Sequence, residues 1–291
     1  MNRDSKTSVV LTHTTAPAET AAPPFVRDDE VFIRMTLAER IQHLVLVTCF
    51  VLLVLTGLPL LIDPSVLLQR IFSFENSFAL RGWIHRVAGA GLIGLSVFHI
   101  GYITLTARGR QVFLELMPKL KDVTDAIESF AHNLGFTHWL QQKGYFVDFF
   151  ERHPYWLFRD PPQYGRYNFI EKFEYLAVVW GNSVMILTGL CLWATNWSFR
   201  VLPIWVYDVF KIIHSYEAIL AFLAIIVWHL YNAHLSPEVF PMSRVWLNGK
   251  ITGHELRRQH PLEYRQILEQ RQRQMKHRED RSQFELDGLQ P

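Results

Sequence analysis

The sequence predicts an all-α membrane protein, a bundle of four transmembrane helices, on the basis of three observations. Four apolar runs are each long enough to cross a hydrocarbon core, which takes about 20 helical residues. The chain of 291 residues is 49% hydrophobic, yet its charged residues are concentrated between these runs. Several histidines lie inside the runs, where ionisable groups are costly and usually functional. Cys49 and Cys191 both fall within predicted spans, so no disulfide framework is indicated.

The order of polar and apolar segments predicts the organisation of the chain. We expect a disordered tail over 1–30, helices 1 and 2 within 31–106, an insertion over 107–170, helices 3 and 4 within 171–236, and a polar tail over 237–291. The first part of the insertion is amphipathic and its second part is aromatic, which is typical of a segment on the membrane surface or against a partner. Its apolar residues at helical spacing are Val112, Leu116, Leu120, Val123, Ile127 and Phe130.

Positive charge predicts the orientation in the membrane. Arg and Lys are concentrated before the first run, between the second and third runs, and in the C-terminal tail. The positive-inside bias makes these segments cytoplasmic, so both termini of this multi-pass inner-membrane protein are expected there. His43, His99 and His229 then lie on the cytoplasmic side, and His85 and His214 lie on the periplasmic side.

The histidines of the second and fourth runs have matching spacings. His85 and His99 are fourteen residues apart and His214 and His229 fifteen, which is about 21 and 22 Å along a helix on one face. Two helices that each present a histidine near both membrane faces can hold two metal centres stacked across the bilayer. Imidazoles from facing helices are the ligands of b-type haem, whereas zinc takes about four ligands at one point.

An internal repeat is also indicated. Thr56-Gly57 lies near the end of the first run and Thr188-Gly189 near the end of the third, so the chain reads as two similar hairpins. This repeat pairs His85 with His214 and proposes His99 as the partner of His229.

Several short motifs resemble those of a known family. They are Arg40-Ile-Gln-His43 with Thr56-Gly57, Ile84-His85, Gly165-Arg-Tyr-Asn168, His229-Leu-Tyr-Asn-Ala, Gly249-Lys250-Ile-Thr and Arg257-Arg258-Gln-His260-Pro261. The chain resembles the cytochrome b subunits of respiratory formate dehydrogenases and nickel-iron hydrogenases, together with bacterial b561-type cytochromes. One departure is the spacing of fifteen residues in the fourth run, which is one longer than expected for the family.

The resemblance implies two b haems, one held by His85 and His214 and the other by His43 and His229. It also implies that Asn168 lies beside a quinone, such as menaquinone, near the cytoplasmic haem. Under this pairing His99 and His234 are left to be explained. A third haem, a quinone site and a structural role all stay open for them.

The expected function is that of a quinone-reactive, di-haem cytochrome b in a hetero-oligomeric respiratory oxidoreductase complex. It would move electrons between the quinone pool and a periplasmic redox subunit, which carries Fe–S, molybdenum, hydrogenase or multihaem cytochrome c chemistry. No nucleic-acid partner is expected. The alternatives are a membrane anchor without electron transfer and a transporter that relays protons through histidines, although a transporter more often has its ionisable groups near the midplane.

Overall fold

A computed structural model of the chain describes residues 25–60, 77–136, 163–237 and 239–287. Four helices in these ranges are long and apolar enough to cross a membrane, namely Leu37–Gly57, Ala79–Leu105, Phe169–Trp193 and Ile204–Leu235. The predicted all-α membrane bundle is therefore confirmed. The predicted tail up to residue 24, the connection over 61–76 and the aromatic part of the insertion over 137–162 lie outside the described residues.

The elements are labelled here in chain order. They are β1 (Val31–Ile33), α1 (Leu37–Gly57), α2 (Ser77–Leu105), α3 (Ala107–Leu116), α4 (Leu120–Asn133), α5 (Phe169–Trp193), α6 (Thr195–Val201), α7 (Ile204–Leu223), α8 (Val245–Asn248), β2 (Lys250–Thr252), α9 (Gly253–Gln259) and α10 (Pro261–Asp287). A π-helical stretch, Ala224–His229 and Tyr231–Leu235, continues α7 to the end of the fourth span.

The spans pack as two hairpins. Helix α1 lies along α2, and α5 lies along α7; the hairpins meet where α2 contacts α5 and α1 contacts α7. In the most apolar part of each span, between 0 and 17% of the residues are buried inside the protein. Most apolar side chains of the spans therefore face outward. This is the arrangement expected of helices whose solvent is lipid rather than water.

Helix starts are set by reciprocal capping. Thr36 and Glu39 form a capping box at α1, Asn168 and Glu171 form one at α5, and a third opens α9. In each box the cap side chain accepts from a backbone N–H of the first turn, and the acidic side chain accepts from the N–H of the cap. The third span therefore begins at Phe169, a few residues before the apolar run, because the cap satisfies its polar first turn.

The amphipathic part of the insertion forms two helices instead of one. Helix α3 ends at Leu116, and α4 begins at Leu120. Pro118 lies between them and has no backbone N–H to donate, so a single continuous helix would lose a hydrogen bond there.

A small polar layer covers one end of the bundle. Strands β1 and β2 pair antiparallel, with Phe32 opposite Ile251. The turn before β2 needs glycine, because Gly249 has a φ of 74° and a Cβ there would lie 2.3 Å from the carbonyl oxygen of Met35. Arg34 is 6% exposed and pairs with Glu263 at 2.6 Å.

Residues Arg27–Tyr264 form one compact unit. From Arg265 onward, α10 belongs to a second unit together with Phe25 and Val26. Within that unit, Arg271 Nη1 donates to the carbonyl oxygen of Phe25 at 2.9 Å.

Candidate functional site

One pair of histidines lies between α2 and α7. The ring centres of His85 and His214 are 6.4 Å apart and the rings are inclined at 69°. Each ring is held by a threonine of the neighbouring helix in its own hairpin: Thr56 Oγ1 is 2.9 Å from His85 Nδ1, and Thr188 Oγ1 is 2.9 Å from His214 Nδ1. The two halves of the repeat therefore build the same support at this end of the bundle.

The threonine contacts determine which ring nitrogen carries the proton. Thr56 donates its only hydroxyl proton to the carbonyl oxygen of Leu52 at 2.5 Å, and Thr188 donates to that of Val184 at 2.7 Å. Each threonine oxygen can then only accept from the histidine, so Nδ1 is the protonated nitrogen. The Nε2 lone pair of both rings stays available to a metal, and the hydrogen bond on Nδ1 fixes the orientation of the ring.

The glycine after each threonine gives the ring its space. A Cβ at Gly57 would lie 3.2 Å from His85 Cε1, and one at Gly189 would lie 3.1 Å from His214 Cε1. Side chains at these positions would have to displace the rings. The Thr-Gly dipeptide thus combines a hydrogen-bond acceptor with a gap for the imidazole.

A second pair lies between α1 and the end of the fourth span. The ring centres of His43 and His229 are also 6.4 Å apart, with the rings inclined at 45°. His229 Nδ1 donates to Glu174 Oε2 at 2.9 Å, which again leaves Nε2 free. His43 Nδ1 is buried and has no hydrogen-bond partner among the described residues. His43 and Thr56 are thirteen residues apart on α1, so the two pairs are separated by about 20 Å along the helix.

The π-helical stretch accounts for the long spacing in the fourth span. It begins at Ala224, between His214 and His229. A π turn contains one more residue than an α turn, and such turns are frequent at functional sites. The fifteen-residue spacing is therefore compatible with the same ring placement as a spacing of fourteen in a regular helix.

Both pairs have the separation that two ligands of one metal require. Imidazole nitrogens bind a transition metal at about 2.0–2.1 Å and lie about 1.1 Å from the ring centre, so opposed ligands have ring centres about 6.2–6.4 Å apart. The observed 6.4 Å in both pairs fits this value. In each pair the two histidines come from different helices, as bis-histidine haem ligation demands.

His99, predicted from the repeat as the partner of His229, has different neighbours. Its Nδ1 is 2.8 Å from Gln42 Oε1, and its Nε2 is 3.0 Å from the hydroxyl of Tyr175. The amide oxygen can only accept and the hydroxyl can donate, so both ring nitrogens are occupied. In this arrangement both ring nitrogens of His99 have protein partners, and the ring found beside that of His229 is the ring of His43.

His234 lies beside Trp246, with ring centres 6.4 Å apart. The ring centre of Trp246 is also 6.1 Å from that of His43. Its Nδ1 is buried without a hydrogen-bond partner in the described ranges. The structure therefore brings His234 to the edge of the His43–His229 site, although it pairs with no second histidine ring in the described contacts.

Asn168 is the N-cap of α5. Its Oδ1 accepts from the backbone N–H of Glu171 at 2.8 Å, and its own N–H donates to Glu171 Oε2 at 2.8 Å. The side chain is half-buried, and its Nδ2 makes no hydrogen bond to another described residue. The amide nitrogen is therefore the part of Asn168 that a ligand can use.

Polar groups next to Asn168 are tightly packed. His260 Nδ1 donates to the carbonyl oxygen of Gly165 at 2.8 Å, and burial together with the positive charge of Arg34 lowers the pKa of His260 to about 3. Burial raises the pKa of the Tyr167 hydroxyl. The nearby Arg166 acts to lower this pKa, but burial has the larger effect. His260 and Tyr167 are thus both neutral over the physiological range.

Sequence reasoning did not assign the supporting residues of the two histidine pairs. Thr56, Thr188 and Glu174 orient the rings, and only the repeated Thr-Gly dipeptide gave a signal of them. In the sequence this dipeptide marks the repeat and matches a motif of the family, and neither observation predicts a chemical role for the threonine. Glu174 gave no signal, since acidic residues are frequent near the ends of membrane spans.

The fold and the paired histidines define a class, the multi-pass membrane proteins that bind haem between helices. The family model for prokaryotic cytochrome b561 matches residues 34–241, and the chain belongs to this family. A comparison with curated proteins finds no match. The predicted family is confirmed, and the chain is a membrane b-type cytochrome that binds haem b and works in electron transfer.

Proposed function

We propose that this cytochrome holds two b haems and transfers electrons between the quinone pool and a periplasmic redox partner. The observation that carries the proposal is the presence of two histidine pairs, each with ring centres 6.4 Å apart, about 20 Å from each other along α1. A haem between two imidazoles supplies reversible one-electron chemistry, and two such centres span most of a hydrocarbon core about 30 Å thick.

The remaining residues of the two sites orient the ligands and tune them. Thr56 and Thr188 offer neutral hydroxyl oxygens to the His85–His214 pair, whereas Glu174 offers a carboxylate to His229. A carboxylate acceptor makes an imidazole a stronger electron donor than a hydroxyl does. We therefore expect Glu174 to lower the reduction potential of the proposed His43–His229 centre more than the threonines lower that of the His85–His214 centre.

The proposed orientation follows the distribution of positive charge. The segments before α1, between α2 and α5, and after the fourth span are rich in Arg and Lys, which favours the cytoplasmic side of the inner membrane for both termini. The His85–His214 pair then faces the periplasm, where a redox subunit of a larger respiratory complex would dock.

The cytoplasmic-side pairing is tested by comparing two histidines. We expect His43→Ala to lose one of two haems, because His229 would keep no second imidazole, whereas His99→Ala keeps both, because its ring nitrogens are already used by Gln42 and Tyr175. The measurement is the haem-to-protein ratio of the purified chain with a reduced-minus-oxidised spectrum.

The opposite pattern, in which His99→Ala loses a haem and His43→Ala does not, would exclude the proposed pair. A ratio of three haems per chain, with one lost in each variant, would replace the two-haem proposal by one with a third centre. A parent chain without haem that still folds would favour the anchor alternative.

We also propose that Asn168 contacts the quinone head group. It lies at the start of α5, whose next turn carries Glu174 and Tyr175, the hydrogen-bond partners of His229 and His99. The Oδ1 atom is used by the cap, so Nδ2 would donate to a quinone carbonyl. Loss of one such neutral hydrogen bond costs about 1 kcal/mol, or up to about tenfold in affinity.

Two substitutions separate the quinone role of Asn168 from its role as a cap. Asn168→Ser keeps an oxygen acceptor for the Glu171 N–H and removes the amide donor, whereas Asn168→Ala removes both. We expect both variants to slow haem reduction by a menaquinol analogue, and only Asn168→Ala to lose about 1 kcal/mol of stability. Stopped-flow reduction and thermal melting measure the two effects, and full-rate reduction in Asn168→Ser would remove Asn168 from the quinone site.

A further inference from the structure

Helix α4 contacts the protein through its polar face and exposes its apolar face. Asp125 and Ser129, on one side of the helix, are 8% and 7% exposed. Leu120 and Phe130, on the opposite side, are 90% and 67% exposed. This is the reverse of a helix on a water-soluble protein, which buries its apolar stripe and presents its polar side to solvent.

The polar face is held by specific bonds. Lys172 Nζ, near the start of α5, lies 2.7 and 2.8 Å from the two carboxylate oxygens of Asp122. The hydroxyl of Ser129 lies 2.5 Å from that of Tyr164. With these contacts on one side, the orientation of α4 about its own axis is fixed, and its apolar side points away from the unit to which it is attached.

The exposed stripe is continuous. Leu120, Val123, Ile127, Phe130 and Leu134 recur at three- and four-residue intervals, and all are between 53% and 90% exposed. Such spacing aligns the side chains along one face over about 20 Å. A contiguous apolar strip of this kind marks an interaction site.

The bond to Lys172 sets the depth of α4. Helix α5 has 25 residues and is about 37 Å long, which exceeds a hydrocarbon core of about 30 Å. Lys172 is its fourth residue, so the Lys172–Asp122 pair lies at the boundary between headgroups and lipid tails. The exposed Lys119 at the start of α4 suits anionic headgroups at that level, and Lys121 adds positive charge there although its Nζ also pairs with Asp125 at 2.7 Å.

We propose that α4 is an interfacial helix whose apolar stripe inserts into the acyl boundary of the membrane on the side where α5 begins. The occupant of the exposed face is lipid, which explains why the polar face, and not the apolar one, is used to attach the helix to the protein. An interfacial helix of this type needs an apolar face, flanking basic residues and a position at the headgroup level, and α4 has all three.

Spin labelling of the full-length holoprotein in phosphatidylethanolamine–phosphatidylglycerol vesicles tests the proposal. Nitroxides are attached to Val123→Cys and Ile127→Cys, and to Lys121→Cys on the polar flank of the same helix. Leu220→Cys, 60% exposed on the fourth span, gives the lipid reference, and Gln274→Cys, exposed on α10, gives the aqueous one. The parent chain serves as the blank, since Cys49 and Cys191 are buried.

Oxygen partitions into lipid and a nickel chelate stays in water, so the ratio of their collision rates reports the surroundings of each label. We expect the labels at positions 123 and 127 to show a loss of nickel accessibility relative to 274, with oxygen accessibility close to that at 220. The label at 121 should be more accessible to nickel than the labels at 123 and 127.

Nickel accessibility at 123 and 127 equal to that at 274 would mean that the stripe faces water and would overturn the proposal. Low accessibility to both reagents would also overturn it, because a protein segment, a partner or a second copy would then cover the stripe. Retained haem absorbance verifies folding in each variant.

Discussion

Removal of either His85 or His214 is expected to eliminate the same single haem and to leave the other. The two rings have centres 6.4 Å apart, and each keeps Nε2 free because Nδ1 donates to a threonine. An alanine at either position would leave the proposed haem with one protein ligand, so both variants, His85→Ala and His214→Ala, should contain about half of the haem of a parent with the two proposed haems. Haem extraction gives the ratio, and low-temperature difference spectra identify which centre is missing.

His254→Ala is the matched control for this experiment. His254 is an exposed histidine of α9, outside the membrane spans, and its replacement should leave both haems in place. If His85→Ala and His214→Ala removed different spectral components, or if either retained the full haem content, the pairing of these two histidines would be wrong.

Thr188→Ser, which keeps the hydroxyl acceptor, should retain the haem that Thr188→Val perturbs.

The spans were predictable from the sequence because lipid imposes a simple requirement on length and polarity. A helix that crosses the hydrocarbon core must satisfy its own backbone and be apolar over about 20 residues. All four runs met that requirement, and the described part of the chain contains four helices able to span a membrane. Their starts were less predictable, because polar cap residues such as Asn168 extend a helix beyond its apolar run.

The candidate sites were predictable only where a signal lay within one helix. The depths of His85, His99, His214 and His229 follow from the rise per residue, so two levels of histidines were visible in the sequence. Their partners depend on contacts between helices. The sequence around His99 resembled that around His229, yet the structure gives the His99 ring two hydrogen-bond partners on two other helices.

The longer spacing in the fourth span shows a further limit of sequence reasoning. An extra residue between His214 and His229 predicts a rotation of one ligand if the helix is regular. The π-helical stretch from Ala224 absorbs that residue, and the ring of His229 still meets that of His43. Hydropathy does not distinguish a π turn from an α turn, since both satisfy the backbone within the helix.

The chain is also expected to lose stability in mild acid because of His260. This side chain is 6% exposed, donates from Nδ1 to the carbonyl oxygen of Gly165, and has a pKa lowered to about 3 by burial and by Arg34. In the unfolded chain its pKa is near the ordinary value of 6.5. Between pH 6.5 and about 3, His260 is therefore protonated in the unfolded state and neutral in the folded state.

The sign and size of the effect follow from this difference. His260 contributes its full stability well above pH 6.5, and that contribution falls as the pH drops through the window. Each pH unit well inside the window costs about 1.4 kcal/mol, so lowering the pH from 7.5 to 5 should cost about 2 kcal/mol and the whole window up to about 5 kcal/mol. His260→Asn is the test variant, because an asparagine can still donate to the Gly165 carbonyl and does not titrate. Melting curves of the parent and the variant in detergent at pH 7.5, 6.5 and 5 give the difference, in which the carboxylates that titrate in both proteins cancel. We expect the variant to lose about 2 kcal/mol less than the parent between pH 7.5 and 5. Parallel losses in the two proteins would show that His260 has the same pKa in the folded and unfolded states.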